Sequence, residues 1–172
     1  MLARTPPVYD PIVVASIATA LVAAATILGA YYFQYVLGLA PCELCLQERI
    51  AYYAAVPLAM LVAVAARAHG PRPALIAGLL LIVLAMLVNA GLGAYHAGVE
   101  WKFWPGPRDC SGPTQSFGRA SDFLRQLNSV HVVRCDDAAW RFLGVSLAGY
   151  NVLISLALAA IAAWAVGASR QK

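Results

Sequence analysis

The sequence predicts an all-α integral membrane protein, a four-transmembrane-helix bundle with a short interfacial helix in its one long loop. Composition is the first observation behind this. The 172 residues are 62% hydrophobic and only 12% charged, which excludes an ordinary soluble domain of this size. The second is the placement of charge. No Asp, Glu, Lys or Arg interrupts the stretches between Asp10 and Glu43, from Ile50 to Ala66, from Pro73 to Val99 and from Phe142 to Ser169. Each is near the roughly 17 to 25 residues that cross a hydrocarbon layer about 30 Å thick. The third is that a single large polar segment, 99–141, separates the last two stretches.

The first span covers about 12–33 and is rich in alanine, with Tyr31, Tyr32, Phe33 and Tyr35 gathered at its far end as an aromatic belt at the headgroup level would be. Its apolar run exceeds the roughly 7 to 15 residues of a secretory signal, and only Arg4 precedes it, so a retained span is expected. The second helix starts near Pro41 or Cys42, and its spanning part runs over about 46–66 with Pro57 as an expected kink. The third span, about 74–97, ends in "NAGLGAYHAG", whose small residues permit a close helix neighbour. In the loop, "SFGRASDFLRQLN" sets Phe117, Ala120, Leu124 and Leu127 at helical spacing with Arg119, Asp122, Arg125 and Gln126 turned away. That pattern fits a short helix lying in the membrane interface, or one packed on the bundle. "WKFWPGPRDCSGP" before it is rich in Pro and Gly and is expected to be mobile. The fourth span covers about 144–167, and the chain is read as one membrane domain, 1–172, with loops 34–45 and 98–143 on the same side.

Four spans put both termini and the 67–73 turn on one face. That face holds Arg4, Arg67, Arg72, Arg170 and Lys172, and the other holds Arg49, Lys102, Arg108, Arg119, Arg125, Arg134 and Arg141. Long loops cross regardless of charge, while the compact 67–73 turn is basic for its size, which leans toward cytoplasmic termini. Cys42, Cys45, Cys110 and Cys135 all lie on the opposite face. A compartment that keeps disulfides is the one outside the reducing cytosol.

On a helix beginning near Pro41, Cys42, Cys45 and Arg49 of "PCELCLQER" fall at i, i+3 and i+7 and share a face, while Glu43 points off it. The positive end of the helix and the nearby guanidinium both favour thiolate, the form that exchanges disulfides. Arg49 stands 18 residues before Arg67, a rise of about 27 Å, so it belongs near the outer boundary if Arg67 marks the inner one. There it is either a snorkelling boundary arginine or a donor fork for an anion or carbonyl oxygen. Three readings of the cysteines stay open on the residues alone. Structural disulfides suit Cys110 and Cys135 but not a Cys-x-x-Cys, whose loop is too short to constrain much. A metal site would combine Cys42 and Cys45 with Cys135 and His131 or His96, without tight spacing in its second half. Redox exchange between two pairs uses all four.

"APCELCLQERIAYY", "AYHAG" at the end of the third span, a cysteine after "WPGPRD", and "CDDAAWRFLGVS" before the fourth resemble the bacterial disulfide-bond-formation protein B family, DsbB. The resemblance covers about residues 30 to 155. It implies an inner-membrane protein-dithiol:quinone oxidoreductase with cytoplasmic termini and periplasmic cysteines. In this picture Cys110 is attacked by a reduced DsbA-like periplasmic thiol oxidase, Cys135 passes electrons to Cys42, and Cys45 is the thiolate against a ubiquinone or menaquinone. Arg49 then holds the quinone oxygen, and His96 matches a family histidine near it, although a boundary histidine bonded to a backbone carbonyl would look the same. The expected partners are that oxidase, the membrane quinone and the lipid bilayer, with no nucleic acid and no metal. DsbA sits near −120 mV and ordinary structural disulfides lie below about −300 mV, a gap of roughly 8 kcal/mol that a staple-like pair could not cross without an external electron carrier. The reading set against this is a non-enzymatic tetraspan with structural disulfides or a Cys/His metal site.

Overall fold

A computed structural model describes residues 10–107 and 134–170. Four long helices dominate it: α1 (Pro11–Tyr31), α2 (Glu43–Arg67), α3 (Arg72–Glu100) and α4 (Leu147–Arg170). Each is long and apolar enough to cross a membrane. The fold is thus the all-α membrane bundle expected. The interfacial helix expected over 117–127 lies outside the described residues, as do Cys110 and His131.

Local chemistry sets the helix ends. Asp10 caps α1 by accepting the Ile12 N–H at 2.9 Å, with Pro11 in the first turn, where its missing N–H costs nothing. After Tyr31 the backbone widens into a π-helical turn, Tyr32–Val36. Cys42 itself caps α2 in an extended conformation, and Pro57 sits inside that helix. Helix α3 runs longer at both ends than the expected span of 74–97, so Glu100 is helical. Helix α4 starts at Leu147, three residues later than expected. The residues before it form a small antiparallel hairpin, β1 (Arg141–Phe142) and β2 (Val145–Ser146). Its two turn residues, Leu143 and Gly144, both have positive φ, 50° and 81°, the requirement of a tight turn that matches strand twist.

The helices form a ring in which α1 packs on α2, α2 on α3, α3 on α4, and α4 returns to α1 along the least extensive seam. Small residues let them close. A Cβ on Gly93 would come within 2.8 Å of Asn151 Nδ2 and 3.3 Å of the Ala148 carbonyl, so the "NAGLGAYHAG" stretch is where α3 meets α4. Leu79, Ile82, Met86 and Leu158 fill the centre among Ala15, Ala23, Ala59, Ala162 and Ala165. Leu21, Leu61, Leu84 and Val88 face outward, as they should where the surrounding solvent is lipid tail. One polar cluster crosses the middle: the Tyr52 hydroxyl donates to Asn151 Oδ1 at 2.6 Å, and Asn89 Nδ2 donates to Asn151 Oδ1 and Ser155 Oγ at 3.1 and 3.0 Å. Side-chain hydrogen bonds of this kind fasten helices that lack a hydrophobic driving force toward each other.

Candidate active site

The C-terminal ends of α1 and α3 and the N-terminal ends of α2 and α4 converge on a cavity of about 600 Å³ along the α1–α4 seam. Its walls are mostly apolar, from Val22, Ile27 and Phe33 on one side to Leu147, Ala148 and Ile154 on the other. Trp140 and Phe142, whose rings stack 5.9 Å apart, form the upper wall, and Trp140 packs on Phe33 of the π turn at 4.9 Å. The hairpin missed in the sequence therefore has a place in the site: Phe142 in its first strand and Trp140 just before it add two aromatic rings to the cavity wall.

Cys42, Cys45, Arg49 and His96 all line this cavity, and Glu43 does not, in keeping with the face assigned from spacing. Cys42 is 5% exposed, and its Sγ lies 2.6 Å from Cys45 Sγ with both sulfurs free. Because Cys42 is the cap, the Cys45 N–H also donates to its sulfur, at 3.2 Å. The Cys45 thiol, and then its backbone N–H, hold the Cys42 thiol below its ordinary range, against the opposing effects of burial and the Glu48 carboxylate.

Arg49 Nη1 donates to Gln34 Oε1 at 2.6 Å, and its guanidinium lies 5.7 Å from the Tyr31 ring centre. Tyr31 in turn shares a 2.8 Å hydrogen bond with Tyr53. The π turn supplies Gln34 and so points the arginine along the cavity rim. His96 sits deeper, 3% exposed. It does not bond a backbone carbonyl: its Nδ1 lies 2.7 Å from Glu48 Oε1 and its Nε2 3.5 Å from Cys42 Sγ.

Cys135 is disulfide-bonded and 1% exposed, packed with Cys42, Leu44 and Val99. Its neighbours tether it. Asp136 receives both Arg134 Nε and Nη2 at 2.8 Å, and Lys102 Nζ at 2.7 Å as well as through its backbone carbonyl. The Arg134 guanidinium, followed by the Lys102 ammonium, holds the Asp136 carboxyl well below the usual carboxylate range, and the same contact raises Arg134. Of the two loop cysteines the structure describes Cys135, packed beside Cys42, while Cys110 falls outside the described residues.

Cys42, Cys45 and His96 also place three metal-ligating atoms within 4.8 Å of one another. Two sulfurs on one tetrahedral zinc, each about 2.3 Å from it, stand roughly 3.8 Å apart, whereas these are 2.6 Å apart.

Three residues of the site were not singled out in the sequence: Gln34, Glu48 and Glu100. Glu100 had a signal, since it stands four residues after His96 on one helix, and an ionisable residue within a membrane helix is by default functional.

Known proteins resemble this chain over most of its length. The disulfide bond formation protein DsbB family matches residues 14–165. A disulfide bond formation protein B of Xanthomonas oryzae pv. oryzae is 35% identical over 147 residues, covering 78% of this chain and 79% of that protein. One of Marinobacter nauticus is 31% identical over 144 residues, covering 77% and 79%. One of Verminephrobacter eiseniae is 32% identical over 150 residues, covering 82% and 80%. With four membrane helices, a Cys-x-x-Cys at the head of the second and a match over most of its length, the chain belongs to the DsbB family of disulfide-forming membrane oxidoreductases.

Proposed function

We propose that the protein reoxidises a DsbA-like periplasmic dithiol oxidase by disulfide exchange and passes the electrons to a membrane quinone, from the bacterial inner membrane, with its termini in the cytoplasm. The observation that carries the reading is the shared cavity. Cys45 and Arg49 border the same apolar space of about 600 Å³, inside the range of roughly 300 to 1,000 Å³ that small-molecule sites occupy. A flat apolar ring with a carbonyl oxygen fits walls of this kind, with a guanidinium at the rim as hydrogen-bond donor. Ubiquinone or menaquinone would be held by Arg49, His96 and Cys45, and would supply the final acceptor that carries the two electrons away from the cysteine pairs.

The chain's own residues do the thiol chemistry. Cys110, the cysteine left once Cys42 and Cys45 are free, is proposed as the partner of Cys135 and the sulfur that the oxidase attacks. Cys135, released as a thiol, shares a buried cluster with Cys42, and exchange between the two pairs is proposed to run through these two sulfurs. The Arg134–Asp136–Lys102 contacts fix Cys135 to the end of α3 during this step.

The test is a count of free thiols after a reduced DsbA-type protein is added to the purified chain, with and without ubiquinone. Thiols are expected to disappear only when quinone is present. A scaffold with structural disulfides, or a metal site, gives no quinone-dependent loss, and that result would overturn the proposal.

A further inference from the structure

Two buried carboxylates flank His96, and the redox scheme above assigns neither a task. Glu48 is 7% exposed and Glu100 8%. Burying ionised groups at membrane depth is costly unless they are paired or used. Glu48 Oε1 is 2.7 Å from His96 Nδ1, and Glu100 Oε1 is 3.9 Å from Nε2. Glu100 Oε2 has no hydrogen-bond partner among the described residues.

An ionised carboxylate only accepts, so with Glu48 charged the proton of a neutral ring resides on Nδ1, and Nε2 presents its lone pair. That lone pair faces Cys42 Sγ at 3.5 Å. Sulfur, imidazole and carboxylate therefore stand in the order of nucleophile, base and orienting group. The other titratable groups that line the cavity are Cys45 and Arg49 on α2, and Arg134 and Asp137 from the loop. Helix α4 brings only the Tyr150 phenol to that wall, and α2 adds that of Tyr52. Helix α1 brings no charged side chain there.

We propose that Glu48 is a positioning residue that orients His96 through Nδ1, and that Glu100 sets a second carboxylate near Nε2, so that His96 serves as the base taking the Cys42 thiol proton. This rests on the redox reading given above. Closing the Cys42–Cys45 disulfide breaks two S–H bonds, forms one S–S bond and releases two protons and two electrons. The electrons and the Cys45 proton go to the quinone, and its second proton is the equivalent of the one that His96 takes from Cys42. His96 forms an N–H bond at Nε2 as the S–H bond of Cys42 breaks, and is itself neither oxidised nor reduced. Glu48 then faces the imidazolium from Nδ1 and Glu100 from Nε2, so both carboxylates stabilise the charge that appears.

The test uses the full chain in detergent without added quinone, carrying Cys45→Ser so that Cys42 is the one reactive sulfur of the motif, with the loop disulfide left oxidised. Iodoacetamide alkylation of Cys42 is followed against pH. Glu48→Gln is expected to slow alkylation at pH 7 about tenfold and to move its midpoint up by about one pH unit, which is the same tenfold. Glu100→Gln is expected to slow it about threefold, a half-unit displacement. With His96→Gln also present, neither glutamate substitution slows it further. A carboxylate that merely repels the thiolate predicts the opposite sign, faster alkylation once Glu48 is neutral. Unchanged or faster alkylation in Glu48→Gln or Glu100→Gln overturns the proposal, as does slowing that persists without His96. None of these readouts needs quinone reduction, so failure of this proposal and failure of the redox reading are separable.

Discussion

At the scale of single residues, the arrangement around Cys42 has a direct consequence for reactivity. Its sulfur is held acidic first by the Cys45 thiol and then by the Cys45 backbone N–H. Cys45→Ala removes the larger of these, so the alkylation midpoint of Cys42 should rise toward that of a free thiol, about 8.5. A midpoint that stays put would show that the helix end alone sets it. Arg49 is braced by Gln34 and Tyr31. If it is the donor to a quinone oxygen, Arg49→Ala raises the apparent quinone KM about tenfold or more, the size of a charge-assisted hydrogen bond of about 1.5 to 3 kcal/mol. An unchanged KM would remove that role. Cys42, Cys45 and Arg49 were legible because an i, i+3, i+7 spacing is a local fact about a helix. Gln34 and Glu48 were not, because their partners, Arg49 and His96, meet them only through packing of the π turn and of α3 on α2.

Between elements, polar contacts do what apolar burial cannot do inside a lipid solvent. The Tyr52–Asn89–Asn151–Ser155 cluster joins α2, α3 and α4. Asn89→Ala leaves acceptors on α4 without one donor, and thermal unfolding in detergent should register a loss of about 1 to 3 kcal/mol. Gly93→Leu should cost a comparable amount by driving a side chain into Asn151 and Ala148. Equal unfolding midpoints for either variant would mean that this crossing is not where α3 and α4 are fastened. The Asp136 clamp is exposed, so its effect is small and weakened by salt. Since the carboxyl is held below its free value, the clamp acts fully above about pH 3.9 and is lost only as pH falls further. The difference between the parent and Asp136→Asn should therefore be constant from pH 8 to 5 and shrink in stronger acid. Charge-free stretches made the four helices readable. The hairpin before α4 was not readable, because two-residue strands carry no period and Leu143 takes a positive φ that its side chain does not advertise.

Across the whole molecule, the ring of helices is tightest where α3 meets α4 and loosest along α1 and α4, and the cavity opens at that loose seam. The fold thus brings a cysteine pair, a guanidinium and an apolar space to one end of the bundle, under the segment that carries Cys135. The central claim is that electrons leave the Cys42–Cys45 pair for a quinone in that space. Simultaneous recording of ubiquinone reduction and disulfide formation in a reduced DsbA-type protein tests it most directly. The account predicts one quinone reduced per disulfide made, with no reduction by Cys42→Ser or Cys45→Ser chains that still insert into the membrane. Full quinone reduction by either variant would contradict it.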